Sequence, residues 1–128
     1  ITFSEDERLD KKTAIDGVFR YTSDFVVGKS FRISRELTDV GAIILDGVKS
    51  QEVTLTSSSG PHGVKATMGD MTTLTVWTCT PQRGQYVCVE PMVSFGDTER
   101  PLELKDMKET RSLRKGEKAV YVNAFSVF

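Results

Sequence analysis

A chain of 128 residues, 38% hydrophobic and 27% charged, is long enough for one globular domain with a core of its own. Its formal net charge of -1 provides no basic field for nucleic acid or an anionic membrane, and no run of about 18 apolar residues marks a transmembrane helix. Two cysteines and one histidine exclude a disulfide scaffold and a histidine-rich metal site, and with no leader-like apolar segment a cytoplasmic location is expected.

The 14 valines and 14 threonines against 5 alanines favour strands, because branching at Cβ suits a pleated surface better than a helix. The chain opens on Ile1, so it is expected either to begin inside a longer translation product or to have lost its start, for example by processing. Residues 1–17 carry Glu5, Asp6, Glu7, Arg8, Asp10, Lys11 and Lys12 and read as a charged, solvated connector, with Asp16-Gly17 as a turn. Residues 18–128 then form the domain.

Strand-like runs follow. Phe31 to Arg35 alternates apolar and polar, the period of a half-buried strand. Ala42 to Leu45 is a short apolar run closed by Asp46-Gly47. Glu52 to Thr56 alternates again, and Ser57 to Gly63 is a loop on composition. Val64 to Met68 reads as a strand ended by Gly69-Asp70. Thr72–Cys79 and Gln85–Val89 flank Thr80 to Gly84, which predicts a hairpin. Lys115-Gly116-Glu117 is a turn, and Ala119 to Phe128 reads as a last long strand, apolar on both faces and therefore interior. About seven to nine strands and no amphipathic helix predict an all-β antiparallel sandwich.

Few residues offer chemistry. His62, the only imidazole, sits in a Ser/Gly/Pro loop and reads as a turn residue rather than a catalytic base. If the hairpin is symmetric, Cys79 faces Tyr86, Cys88 faces Trp77 and Glu90 faces Thr75. The two sulfurs are then diagonal, which predicts free thiols. Glu90 is followed by Pro91, which ends a ladder and holds the preceding residue extended. Beside Trp77 and Cys88 a carboxylate loses some hydration, as suits a general base; a surface or paired glutamate is the plainer alternative.

Leu74-Thr75-Val76-Trp77-Thr78, Pro81, and then Tyr86-Val87-Cys88-Val89-Glu90-Pro91 resemble the C-terminal half of the aldose 1-epimerase (galactose mutarotase-like) family. Leu113 to Glu117 before the final strand is similar to that family's late turn, and Glu36 to Leu55 is similar to an upstream segment. The departures are Met92 where the family has Trp, Lys115 in place of the turn proline, and Gly41 at an aspartate position whose nearest acid is Asp39. The family's two catalytic histidines lie in an N-terminal half that these residues do not include.

The resemblance implies the second half of a β-supersandwich that opens a pyranose ring and recloses it on the other anomeric face. It implies Glu90 as the base, Trp77 and Asp39 as substrate-binding residues, and no metal or organic cofactor. The implied partners are a monosaccharide or sugar phosphate and the N-terminal half or another chain. A non-catalytic carbohydrate-binding or regulatory relative, and an unrelated β-sandwich interaction domain, remain as alternatives.

Overall fold

The computed structural model describes residues 1–15, 18–79, 86–94, 102–107 and 110–128. Eight strands occur in chain order: β1 (Thr2–Ile15), β2 (Val18–Ser30), β3 (Ile43–Asp46), β4 (Glu52–Thr56), β5 (Gly63–Thr67), β6 (Thr73–Trp77), β7 (Cys88–Met92) and β8 (Phe125–Val127). A single helical turn, α1 (Arg35–Thr38), and a short 3-10 turn at Leu104–Asp106 complete the described elements. Every strand pairing is antiparallel. The strands form one continuous sheet curled into a half barrel.

β1 organises this sheet. One edge pairs with β2. The other edge pairs near its start with β4, through Thr2 and Phe3, and near its end with β3, through Lys11 to Thr13. Two limbs therefore leave the same edge: β3-β6-β7 and β4-β5-β8. Both contribute to a single apolar cluster. Ile43, Leu45, Leu74 and Val76 come from the first limb and Val53 from the second, joined by Phe3, Leu9 and Val26 of the first hairpin.

The segment expected to be a solvated connector is instead this organising strand. Glu5, Asp6, Arg8 and Asp10 are exposed, but Glu7, Lys11 and Lys12 are buried, each beside a partner far along the chain. The Lys12 ammonium lies 3.0 Å from Asp46 Oδ2. Lys11 Nζ stands 5.6 Å over the Phe25 ring. Glu7 Oε1 accepts the backbone N–H groups of Lys49 (3.0 Å) and Ser50 (2.7 Å). Buried charge of this kind is tolerable only when it is paired and hydrogen-bonded. The Asp16-Gly17 turn, the Thr80 to Gly84 loop and Gln85, the expected start of the next strand, lie outside the described residues.

Three further expectations need correction. Phe31 to Ser34 is not a strand, and Arg35 begins the helical turn. β7 runs on through Pro91, which pairs with Leu74. It can do so because β7 ends its limb, where a residue without an N–H is tolerated. The C-terminal run pairs only over Phe125–Val127, against β5, and lies exposed at a sheet edge rather than inside a sandwich. The runs β3 to β6, by contrast, fall within a residue or two of their expected positions. Lys115-Gly116 forms the expected turn, with Gly116 at φ 87° and Glu117 N–H donating to Arg114 O at 3.0 Å.

Candidate functional site

The register of β6 and β7 decides which side chains share a face. Thr73 pairs with Met92, Thr75 with Glu90 and Trp77 with Cys88, as hairpin symmetry predicts. Leu74 and Val76 belong to the apolar cluster. Alternation therefore turns Thr73, Thr75, Trp77, Cys88, Glu90 and Met92 to the opposite face. Across the limb, Lys12 pairs with Ile44, Ile44 with Thr75, and Thr75 with Glu90. One row thus crosses four strands and ends on the carboxylate.

This face is polar but largely withdrawn from water. Thr73 and Thr75 are buried, while Trp77, Cys88 and Glu90 are half-buried. Thr73 Oγ1 donates to Asp46 Oδ1 at 3.1 Å, which completes a Lys12–Asp46–Thr73 chain with the Lys12 ion pair. Thr75 Oγ1 donates to Met92 Sδ at 3.1 Å. Trp77 packs on Tyr86 with ring centroids 6.1 Å apart. Glu90 sits within β7, not at the last rung of a ladder ended by Pro91, because Pro91 and Met92 pair onward with Leu74 and Thr73.

Four acids gather at this end of the hairpin: Cys79, Tyr86, Cys88 and Glu90. Desolvation pushes the Cys88 thiol above its ordinary range, and the Glu90 carboxylate beside it adds to the effect. The Tyr86 hydroxyl is also pushed up, first by desolvation and then by the Cys79 and Cys88 sulfurs. Both cysteines are free thiols, as the diagonal placement predicts. The local chemistry is that of a half-buried carboxylate beside the Cys88 thiol, on the same sheet face as the Trp77 indole. Such a group can accept a proton from a bound hydroxyl.

Asp39 lies off these strands. It is exposed at the end of α1, where its backbone N–H donates to Arg35 O at 2.7 Å. His62 is not among the residues paired across β6 and β7. It lines a groove of about 980 Å3 whose walls come from the ends of both limbs and from the Ile33 to Thr38 segment. Glu90, Trp77 and Asp39 do not line that groove, whereas Tyr86 and Val87 do. Among the described residues, no group of three or more His, Cys, Asp or Glu side chains could hold a metal ion, and no helix is long and apolar enough to cross a membrane.

The groove is the feature that sequence reasoning missed. It depends on Gly63, where an added Cβ would stand 2.5 Å from Phe128 Cζ and 2.7 Å from Leu55 O. The glycine lets the Phe128 ring close over β5, a contact spanning 65 positions that no local pattern encodes. Compared with known proteins, the chain matches no family model, no curated protein and no solved structure.

Proposed function

We propose that this chain is the C-terminal portion of an aldose mutarotase-like protein, with its sugar-facing surface on β3, β6 and β7 and Glu90 as general base. The observation that supports this reading most is the β6–β7 register, which sets Glu90 and Trp77 on one half-buried face. The local sequence resemblance runs through the same residues. In the proposed reaction Glu90 takes the proton of the anomeric hydroxyl. A separate acid protonates the ring oxygen, the ring bond breaks, and the open aldehyde recloses on its other face. Trp77 offers a flat apolar surface to the ring C–H groups of a monosaccharide or sugar phosphate.

The acid comes from outside this face. The chain's only histidine is in the groove, so the partner is the N-terminal half of the same protein or another chain. One positioned proton-transfer group contributes roughly 10²–10⁴ in rate, so the isolated chain is expected to fall short of an enzymatic rate. Polarimetry of anomer interconversion tests this. The expected result is little acceleration by the chain alone, and acceleration on addition of the partner that vanishes with Glu90→Gln. Full activity in the isolated chain, or in Glu90→Gln with partner, contradicts the assignment.

That His62 lines the groove and Glu90 does not favours one second reading: a carbohydrate-binding relative without chemistry. That reading predicts saturable sugar binding with no acceleration under any pairing.

A further inference from the structure

Three strands of the sheet, β2, β7 and β8, have an outer edge that pairs with no described strand. An open edge is a template for another chain, and proteins commonly blunt it with charge or proline. β2 carries the exposed Arg20 and Lys29, and β7 carries Glu90 and Pro91. β8 has neither device: no charged residue and no proline stands between Lys118 and Phe128. Its apolar side chains meet water, with Phe125 55% exposed and Val127 80%.

The ladder to β5 fixes which main-chain groups face that edge. Gly63 and Phe128 exchange both backbone hydrogen bonds, at 2.9 and 3.1 Å, and Thr67 N–H donates to Ala124 O at 2.9 Å. Antiparallel alternation therefore turns the N–H and C=O of Ser126 toward β5, and those of Phe125 and Val127 toward the open edge. Among the described residues, neither the Phe125 nor the Val127 N–H has a backbone partner.

We propose that the β8 edge pairs antiparallel with β8 of a second copy of this chain, about a twofold axis at Ser126. Phe125 then stands opposite Val127 of the second copy, and each such pair exchanges both of its outward hydrogen bonds. The strand suits itself as a partner. Being uncharged, it meets its own copy without a like-charge contact, and it sets an aromatic ring opposite a β-branched side chain on both sides of the axis. The two Phe128 carboxyl groups lie about 14 Å apart along the strands, more than a Debye length of about 10 Å at 0.1 M salt. One patch serves both copies, so the contact closes at a dimer. It does not involve Glu90 and stands whether or not that face takes a sugar.

The test is sedimentation equilibrium of the whole chain at rising concentration, with NMR of a sample in which half the copies are isotope-labelled. Expected are a monomer–dimer equilibrium and cross-copy contacts between Phe125 and Val127. Val127→Pro removes an outward N–H and spares the bonds to β5, so it should weaken the dimer about tenfold or more while the Ser126 amide stays protected. Ser126→Lys and Ser126→Asp place like charges across the axis; each should weaken the dimer, and a mixture of the two should recover it. A chain that stays monomeric up to about 1 mM, or whose β8 amides respond only to an added N-terminal half, overturns the proposal. So does growth beyond a dimer, a dimer that Val127→Pro leaves intact, or a Lys and Asp mixture that pairs no better than either variant alone.

Discussion

Glu7, only 3% accessible, is a point where a single substitution should unsettle the fold. Oε1 accepts two backbone N–H groups, from Lys49 and Ser50, and Ser50 Oγ in turn accepts the Glu5 N–H at 3.1 Å. The carboxylate thereby ties the β3–β4 connection to β1, where the two limbs part. Oε2 has no hydrogen-bond partner, so part of the desolvation penalty is uncompensated. Glu7→Ala orphans two N–H groups at about 1–3 kcal/mol each, offset by relief of the buried charge, for a net loss of about 3 kcal/mol. For a chain of this size that lowers Tm by about 12 °C, at about 4 °C per kcal/mol. Glu7→Gln keeps one acceptor oxygen with neutral bonds and should lose about 1 kcal/mol. Glu5→Ala, on an exposed side chain, should stay within about 0.5 kcal/mol of the parent. Urea unfolding followed by circular dichroism gives all three values. If Glu7→Ala is as mild as Glu5→Ala, the clamp is not holding the connection.

Three other outcomes follow from the geometry. In a Cys79→Ser background, alkylation of Cys88 should need a higher pH than an ordinary thiol; Glu90→Gln removes a negative neighbour, so the thiolate forms at lower pH and the rate at fixed pH rises. No change in that pH profile would separate Cys88 from Glu90. Asp46→Ala takes this carboxylate from the buried Lys12 ammonium and an acceptor from Thr73, and should destabilise by about 3 kcal/mol in thermal or urea unfolding. Asp46→Asn, which keeps the Thr73 acceptor, should be milder. Gly69→Ala should destabilise by about 1–3 kcal/mol, since Gly69 has φ +56° and its Cβ would collide with Val122 O. Amide exchange should then rise at Ala124, whose N–H donates to Thr67 Oγ1, and stay unchanged on β6.

The first limb was readable because its signals are local. Ile43 to Leu45 is a short apolar run, Leu74 and Val76 alternate with threonines, and the β6–β7 register follows from equal arms about one loop. β1 was not readable because its buried positions include Glu7, Lys11, Lys12 and Thr13, with Leu9 alone giving an apolar signal in that stretch. Their partners Asp46, Phe25 and the Ser50 amide lie elsewhere in the chain, and composition cannot show a charge that is satisfied at a distance. The C-terminal run failed in the opposite direction. Val120, Val122, Phe125 and Val127 look like core residues, yet the chain leaves them exposed. On the candidate site, the face shared by Glu90 and Trp77 was legible from period-2 alternation. The groove was not, because it needs Gly63, Arg35 and Phe128 together.

The proposal that Glu90 and Trp77 form a sugar-facing surface is tested most directly by a titration watching one nucleus. Trp77 is the only tryptophan, so its indole N–H gives a single resolved NMR signal. Titrating the chain with an aldohexose should shift that signal saturably, together with the amides of Thr75 and Glu90, and Glu90→Gln should weaken the response. An indole signal that stays fixed while the chain remains folded, or a response that Glu90→Gln leaves unchanged, contradicts the account.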